Sequence, residues 1–275
     1  MQHNCFRVLS LLFLVAVALV VTGCNKLLAR DKLNKGVQAF KAGQFDAAIE
    51  HFKQAKDLDP ELLTARLYLA SAYASQYIPG APSDENIRVG RQAIAEFQEV
   101  LQKDPNNISA IDGIGSLLYH MAGTPFDPKK FEESKKYHYR HVELKPDDPE
   151  PYYWIGHINW TLAYDANRKM RAEYNSKARK PVGEQEQLPP PVREKFASGY
   201  SGLVEEGIRV LQKAIGLRPD YEDAMAYLNL LLRQKADQVA SLQERKELLA
   251  EADRWVDKHR EVRQKKSEAP ATPTS

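Results

Sequence analysis

Apolar positions fall into two regimes along this chain. Val8 to Val21 is a run of 14 residues in which only Ser10 is polar. Beyond Ala29 the apolar residues instead recur at helical spacing among charged ones. Ala48, Phe52 and Ala55 stand at i, i+4 and i+7, the stripe of an amphipathic helix. Ala65, Leu69, Ala70 and Tyr73 repeat the pattern, as do Ala93, Phe97 and Val100, then Ile111, Ile114, Gly115 and Leu118. Tyr152, Ile155 and Gly156 pair across a long gap with Gly207, Leu211 and Ala214; Met225, Leu228 and Leu232 precede a helix carrying Leu249, Ala252, Trp255 and Val256. Period-two alternation is absent, so the expected fold class is all-α.

Four of the helical stretches close on the same punctuation: Leu58-Asp59-Pro60, Lys103-Asp104-Pro105, Leu144-Lys145-Pro146 and Leu217-Arg218-Pro219. Proline just past a helix end cannot continue it. In the first unit Gly36 permits close helix approach, Lys41-Ala42-Gly43-Gln44 makes the turn, and Phe45 opens the second helix. With Ala48, Phe52, Ala55 and Pro60 in place, this unit resembles a tetratricopeptide repeat, a two-helix unit of 34 residues. It departs from that pattern at Lys32 and Lys35, which stand at positions usually apolar. The resemblance implies an α-solenoid of antiparallel helix pairs, stacked because one pair cannot bury its own apolar faces.

The terminal prolines lie 45, 41 and 73 residues apart, so the second, third and fourth repeats carry insertions of 11, 7 and 39 residues beyond the 34-residue unit. Expected boundaries are 29–62, 63–107, 108–148 and 149–221 for repeats one to four. A degenerate fifth repeat with a capping helix follows over 222–263, and a disordered tail over 264–275. The longest insertion, about 161–200, holds Leu188-Pro189-Pro190-Pro191, which no helix interior accepts. It is expected to form a protruding helical hairpin with a proline-rich tip.

The apolar run changes the picture of where the chain resides. It follows Arg7 and is short for a membrane span, which needs about 20 apolar residues. It leads into Val21-Thr22-Gly23-Cys24, which resembles the bacterial lipobox. That resemblance implies a signal peptide over 1–23, acylation of Cys24 with a chain such as palmitate, and a short tether over 24–28. An uncleaved signal anchor is the alternative. Cys5 would leave with the signal, so Cys24 would be the lone cysteine of a mature chain of 252 residues, with no intramolecular disulfide open to it. Asn25 stands where some lineages place an aspartate for inner-membrane retention, which favours the outer membrane, facing the periplasm. Charge adds an exclusion. Without Arg7 the chain carries 38 basic and 37 acidic residues, unlike a nucleic-acid binder with its clustered basic excess.

No phosphate-cradling GxxxxGK[ST], no HExxH and no GxSxG in a strand-to-helix context occurs; no catalytic residue, cofactor or small-molecule substrate is expected. By the resemblance, the first helix of each repeat lines the ligand face. In repeat four this places Glu150, Tyr153, His157, Trp160 and Thr161 there, with Trp154 beside them; in repeat three Asp112, Ser116, Tyr119 and His120. Tyr119, His120, Tyr153, His157 and Trp160 are the candidate peptide-binding residues, because rigid rings give contact area at low entropic cost. Trp154 and Trp160 could instead be core under the insertion. Repeat one has Leu33 and Val37 where repeats that grip acidic chaperone tails carry a clamp, so that ligand class is not expected. His138 and His141 share a helix face, but zinc needs three or four ligands, and only His120 or His157 could extend the set. The expected function is a membrane-anchored scaffold that binds a protein or peptide partner in the cell envelope. The alternatives are a homo-oligomer built through the 161–200 hairpin and a histidine-based metal protein.

Overall fold

The computed structural model describes residues 24–268, and the expected signal peptide lies outside them. Among the described residues ten helices follow one another: α1 (residues 24–41), α2 (Phe45–Leu58), α3 (Leu63–Gln76), α4 (Asp84–Lys103), α5 (Ile108–Ala122), α6 (Pro128–Leu144), α7 (Pro149–Asn175), α8 (Pro190–Leu217), α9 (Glu222–Ala236) and α10 (Leu242–Glu268). Among the described residues there is no strand, only an isolated bridge between Gly123 and Phe126. The chain divides into two compact units, Met1–Asp127 and Pro128–Ser275.

The four proline motifs become four copies of one turn. The last helical N–H bonds run from Asp59 to Ala55 O, Asp104 to Val100 O, Lys145 to His141 O and Arg218 to Ala214 O. The proline follows, and the residue after the turn donates back: Leu62 N to Asp59 O, Asn107 N to Asp104 O, Asp148 N to Lys145 O and Tyr221 N to Arg218 O, all at 3.0–3.2 Å. Proline suits the second position of such a turn because its ring presets φ. Two of these turns then deliver a cap. Asn107 accepts from Ala110 N and Asp148 from Glu150 N, which satisfies backbone donors at the start of α5 and α7.

In the first unit α2 packs on α3, α3 on α4 and α4 on α5. Phe52 is fully buried, and a Cβ on Gly36 would stand 2.4 Å from its ring. The absent side chain is therefore what lets the α1 backbone sit on that ring. The α4 stripe Val89, Ala93, Phe97 and Val100 is buried. The insertion of repeat two is a short loop, held because the Asn86 side chain accepts from Ile78 N and donates to Ile78 O and Ala81 O at 2.8–2.9 Å.

In the second unit α7 packs on α6, α8 and α9, and α9 on α8 and α10. The core gathers Phe196, Val204, Leu211, Met225 and Leu228, all fully buried. Gly156 meets Leu211 as Gly36 meets Phe52: a Cβ there would lie 2.4 Å from Leu211 Cγ. The long insertion corrects one expectation. Its flanks do extend the helices, to Asn175 and from Pro190, but its tip does not project freely. Leu188, 1% exposed, is sunk into the core. Arg171 donates to Gly183 O and Glu186 O at 2.6 and 3.2 Å, Gln187 to Val239 O at 3.1 Å, and Arg245 to Gln185 O at 2.8 Å. A proline-rich tip cannot pair all its carbonyls internally, and side-chain donors from α7 and α10 supply the partners. A second departure is at the far end, where α10 continues to Glu268, past the expected limit of order at residue 264.

Candidate functional site

Helical periodicity sets a row of rings along α7. Tyr153, His157, Trp160 and Tyr164 recur at three- and four-residue steps and so share one face. His157 lies 3.9 Å from the Tyr227 ring of α9, and Tyr153 and Trp160 flank the same ring at 5.8 and 5.2 Å. Tyr153 also meets Tyr221 at 5.2 Å, and Trp160 stacks on Tyr164 at 5.1 Å with planes 17° apart. The structure thus brings Tyr153, His157 and Trp160 together, and adds Tyr221, Tyr227 and Tyr164. Tyr153, His157 and Trp160 are half-buried, with Tyr153 and Trp160 resting on the core, while Tyr164 keeps 43% of its surface exposed. Tyr119 and His120, the other two candidates, sit in the first unit with rings 5.3 Å apart in an edge-on arrangement. Burial pushes the His120 imidazole below its ordinary value.

Glu150, expected on the ligand face, is committed elsewhere. It accepts from Arg218 at 2.7 Å and from the Tyr221 hydroxyl at 2.6 Å, tying the start of α7 to the α8–α9 turn. Burial, then the bond to Glu150, drives the Tyr221 phenol well above its usual range. It stays neutral and donating.

His138 and His141 are packing residues, 1% and 2% exposed. His138 lies flat on Trp154, with centroids 5.6 Å apart and planes within 5°. Burial, with a smaller effect from His141, pushes its pKa down to about 3. Trp154 therefore spends one face on α6 and lies 5.8 Å from His157 in a stacked arrangement. His141 Nε2 lies 3.4 Å from Asp148. No group of three or more histidine, cysteine or acidic side chains among the described residues could hold a metal ion, so the metal reading gains no ligand set.

Sequence reasoning missed two polar assemblies. Glu206 of α8 accepts from the Tyr139 hydroxyl and from Asn159 at 2.7 Å, and Lys135 reaches it at 3.3 Å. Burial would raise this carboxyl; the bonds from Tyr139 and Asn159 and the Lys135 charge outweigh it and hold it below the usual range. The second assembly is the floor of an open cleft of about 800 Å³ between α7, the tip 182–185, α9 and the start of α10. There Asn167 bridges Gln234 and Asp237 at 2.9 Å each, and Arg171 pairs with Asp237 at 3.0 Å. Nothing in the periodicity flags either group, because the bonded partners are 24 to 71 residues apart in sequence.

Cys24 is exposed, and Leu27 and Leu28 beside it are 72% and 50% exposed. No helix among the described residues is long and apolar enough to cross a membrane.

Comparison with known proteins places this geometry. The model of the tetratricopeptide repeat family matches residues 33–62. Among solved structures, a MamA protein superposes with a TM-score of 0.53 at 18% identity, covering 90% of this chain and 98% of that one. MamA from residue 41 onward of Desulfovibrio magneticus RS-1 gives 0.56 at 16% identity, over 88% and 97%. YrrB, described as a TPR protein with an unusual peptide-binding site, gives 0.51 at 15%, over 86% and 90%. At such identities the likeness concerns the fold: an all-α, tetratricopeptide-like solenoid. No curated protein matches the chain.

Proposed function

We propose that this tetratricopeptide repeat protein is a non-catalytic interaction scaffold that holds a peptide or protein segment against the aromatic row of α7, and that acyl chains on Cys24 tether it to a membrane of the bacterial cell envelope. The observation that carries the binding reading is the row itself. Four rings in register on one helix face, backed by Tyr227 and Tyr221 and left half-exposed, form a rigid surface that costs little entropy to cover. The description of YrrB as peptide-binding supports the same use of the fold. The tether reading is supported by the lipobox-like Val21-Thr22-Gly23-Cys24 and by the exposed Cys24, Leu27 and Leu28. Two or more acyl chains, at about 0.8 kcal/mol per buried methylene, make such an anchor stable.

Affinity purification from membranes with the anchor intact tests the scaffold. Tyr153→Ala together with Trp160→Ala is expected to lose the co-purifying partner while circular dichroism stays helical. Undiminished capture by that double variant would move the binding surface off α7.

A further inference from the structure

The cleft beside the aromatic row carries more positive charge than its own carboxylates match. Arg168, Arg171, Arg233 and Arg245 line it, against Asp237 and Glu184, and Asp253 of α10 pairs with Arg233 at 2.6 Å. Asp237 is shared, 3.0 Å from Arg171 and 3.9 Å from Arg245. At the mouth Asp165 is shared too, by Arg168 at 3.0 Å and Lys169 at 2.7 Å. Two cations on one carboxylate leave a net positive field at each place. Arg168 and Arg233 keep 60% and 40% of their side chains exposed, and each already meets a carboxylate, Asp165 at 3.0 Å and Asp253 at 2.6 Å, with which a ligand carboxylate competes. The unpartnered buried atoms of the lining have the same polarity: Trp160 Nε1 and Arg245 Nε are both donors without a protein acceptor. Burial raises the Asp237 carboxyl above its ordinary value, against the opposing pull of Asn167, Arg171 and Arg245, which marks the floor as poorly solvated.

The apolar side is equally defined. Trp160 and Tyr164 form a stacked pair in the lining, to which α9 and α10 add Leu230 and Leu249. A volume of about 800 Å³ falls in the range of sites that enclose a small ligand or a few residues of chain. Because Trp160 belongs both to this lining and to the aromatic row, a segment lying along α7 runs into the cleft.

We propose that this cleft is a carboxylate-recognition subsite: it receives an aspartate or glutamate of the bound partner segment, paired with Arg168 and Arg233, while a neighbouring apolar or aromatic side chain covers Trp160 and Tyr164. This rests on the scaffold reading above and specifies its ligand. Guanidinium is the suited group, since its planar fork meets a carboxylate with two parallel hydrogen bonds. The insertion of repeat four gains a purpose thereby. Its tip forms one wall of the cleft, and Arg171 and Arg245 hold it there.

The test uses dodecapeptides displayed on phage and selected against the full chain, with retained peptides synthesised in acid form and with every Asp and Glu replaced by Asn and Gln. Fluorescence anisotropy is expected to show about tenfold or greater weakening for the amide forms, and a similar loss of acid-form affinity in Arg168→Gln/Arg233→Gln. Arg168→Gln alone gives a control that cannot unfold the chain, as its one partner is the i−3 carboxylate of Asp165; a severalfold loss is expected. Selection that retains no peptide, acid and amide forms that bind alike, or arginine variants that bind as well as the parent would each overturn the subsite. Tyr153→Ala separates the two readings. If it abolishes binding while the arginine variants do not, the aromatic row stands and the cleft falls; if binding survives it, the scaffold reading fails as well.

Discussion

Burying His138 to 1% of its surface against Trp154 holds its pKa near 3, against an ordinary value of 6.5. The unfolded chain therefore takes up a proton near pH 6.5 that the folded chain refuses until about pH 3. Stability that depends on the neutral ring is complete above pH 6.5 and is lost as the pH falls between those values, by at most about 1.4 kcal/mol per pH unit for one proton. His138→Phe keeps a flat ring for Trp154 and removes the titration. Urea midpoints at pH 7 and pH 4.5 should therefore differ less in the variant than in the parent. At Gly156 the constraint is steric. An added methyl group meets Leu211 Cγ at 2.4 Å and Cδ2 at 2.7 Å, and Leu211 is itself fully buried. Gly156→Ala should cost about 1–3 kcal/mol, read as a drop in urea midpoint with little change in slope. Glycine and leucine were both legible as repeat positions paired across the insertion; the close approach of Gly156 to Leu211 itself was not.

Between elements, side chains do the joining wherever the repeats depart from 34 residues. Arg171 is the clearest case: from α7 it holds two carbonyls of the tip and the Asp237 carboxylate at the end of α9. Its replacement leaves Asp237 buried with weaker pairing and the tip without its shortest bond. Arg171→Ala should therefore speed limited proteolysis within residues 176–189 by an order of magnitude or more, with global helicity kept, if local opening governs cleavage. Unchanged cleavage would mean that Leu188, Gln187 and Arg245 secure the tip without Arg171. The helical character of the 161–200 insertion was expected from the sequence. The docking of the tip was not, since a hydrogen bond from Arg171 to Asp237 spans 66 residues and leaves no periodic trace.

For the whole chain, the expected address and the expected use depend on different parts. The aromatic row and the cleft both belong to the unit Pro128–Ser275, while Cys24 belongs to the unit Met1–Asp127. Anchoring and capture should accordingly separate. Cys24→Ala is expected to move the chain from the membrane to the soluble fraction and to abolish labelling by radioactive palmitate, while peptide binding stays unchanged. A variant that remains fully sedimenting with membranes would refute the acyl tether.

What the sequence determined by itself is the local grammar. Helices follow from stripes at i, i+4 and i+7, each repeat ends at a proline turn, and close approach is marked by Gly36; every one of these is decided within a few residues by backbone geometry. Tertiary structure decided which chemistry stands beside which. Only packing laid His138 on Trp154, set Tyr227 between Tyr153 and Trp160, folded the proline-rich tip back onto α9 and α10, and collected four arginines around one cleft. Those outcomes depend on contacts between residues tens of positions apart, where the cost of desolvating a ring or a charge is settled by neighbours that no local pattern names.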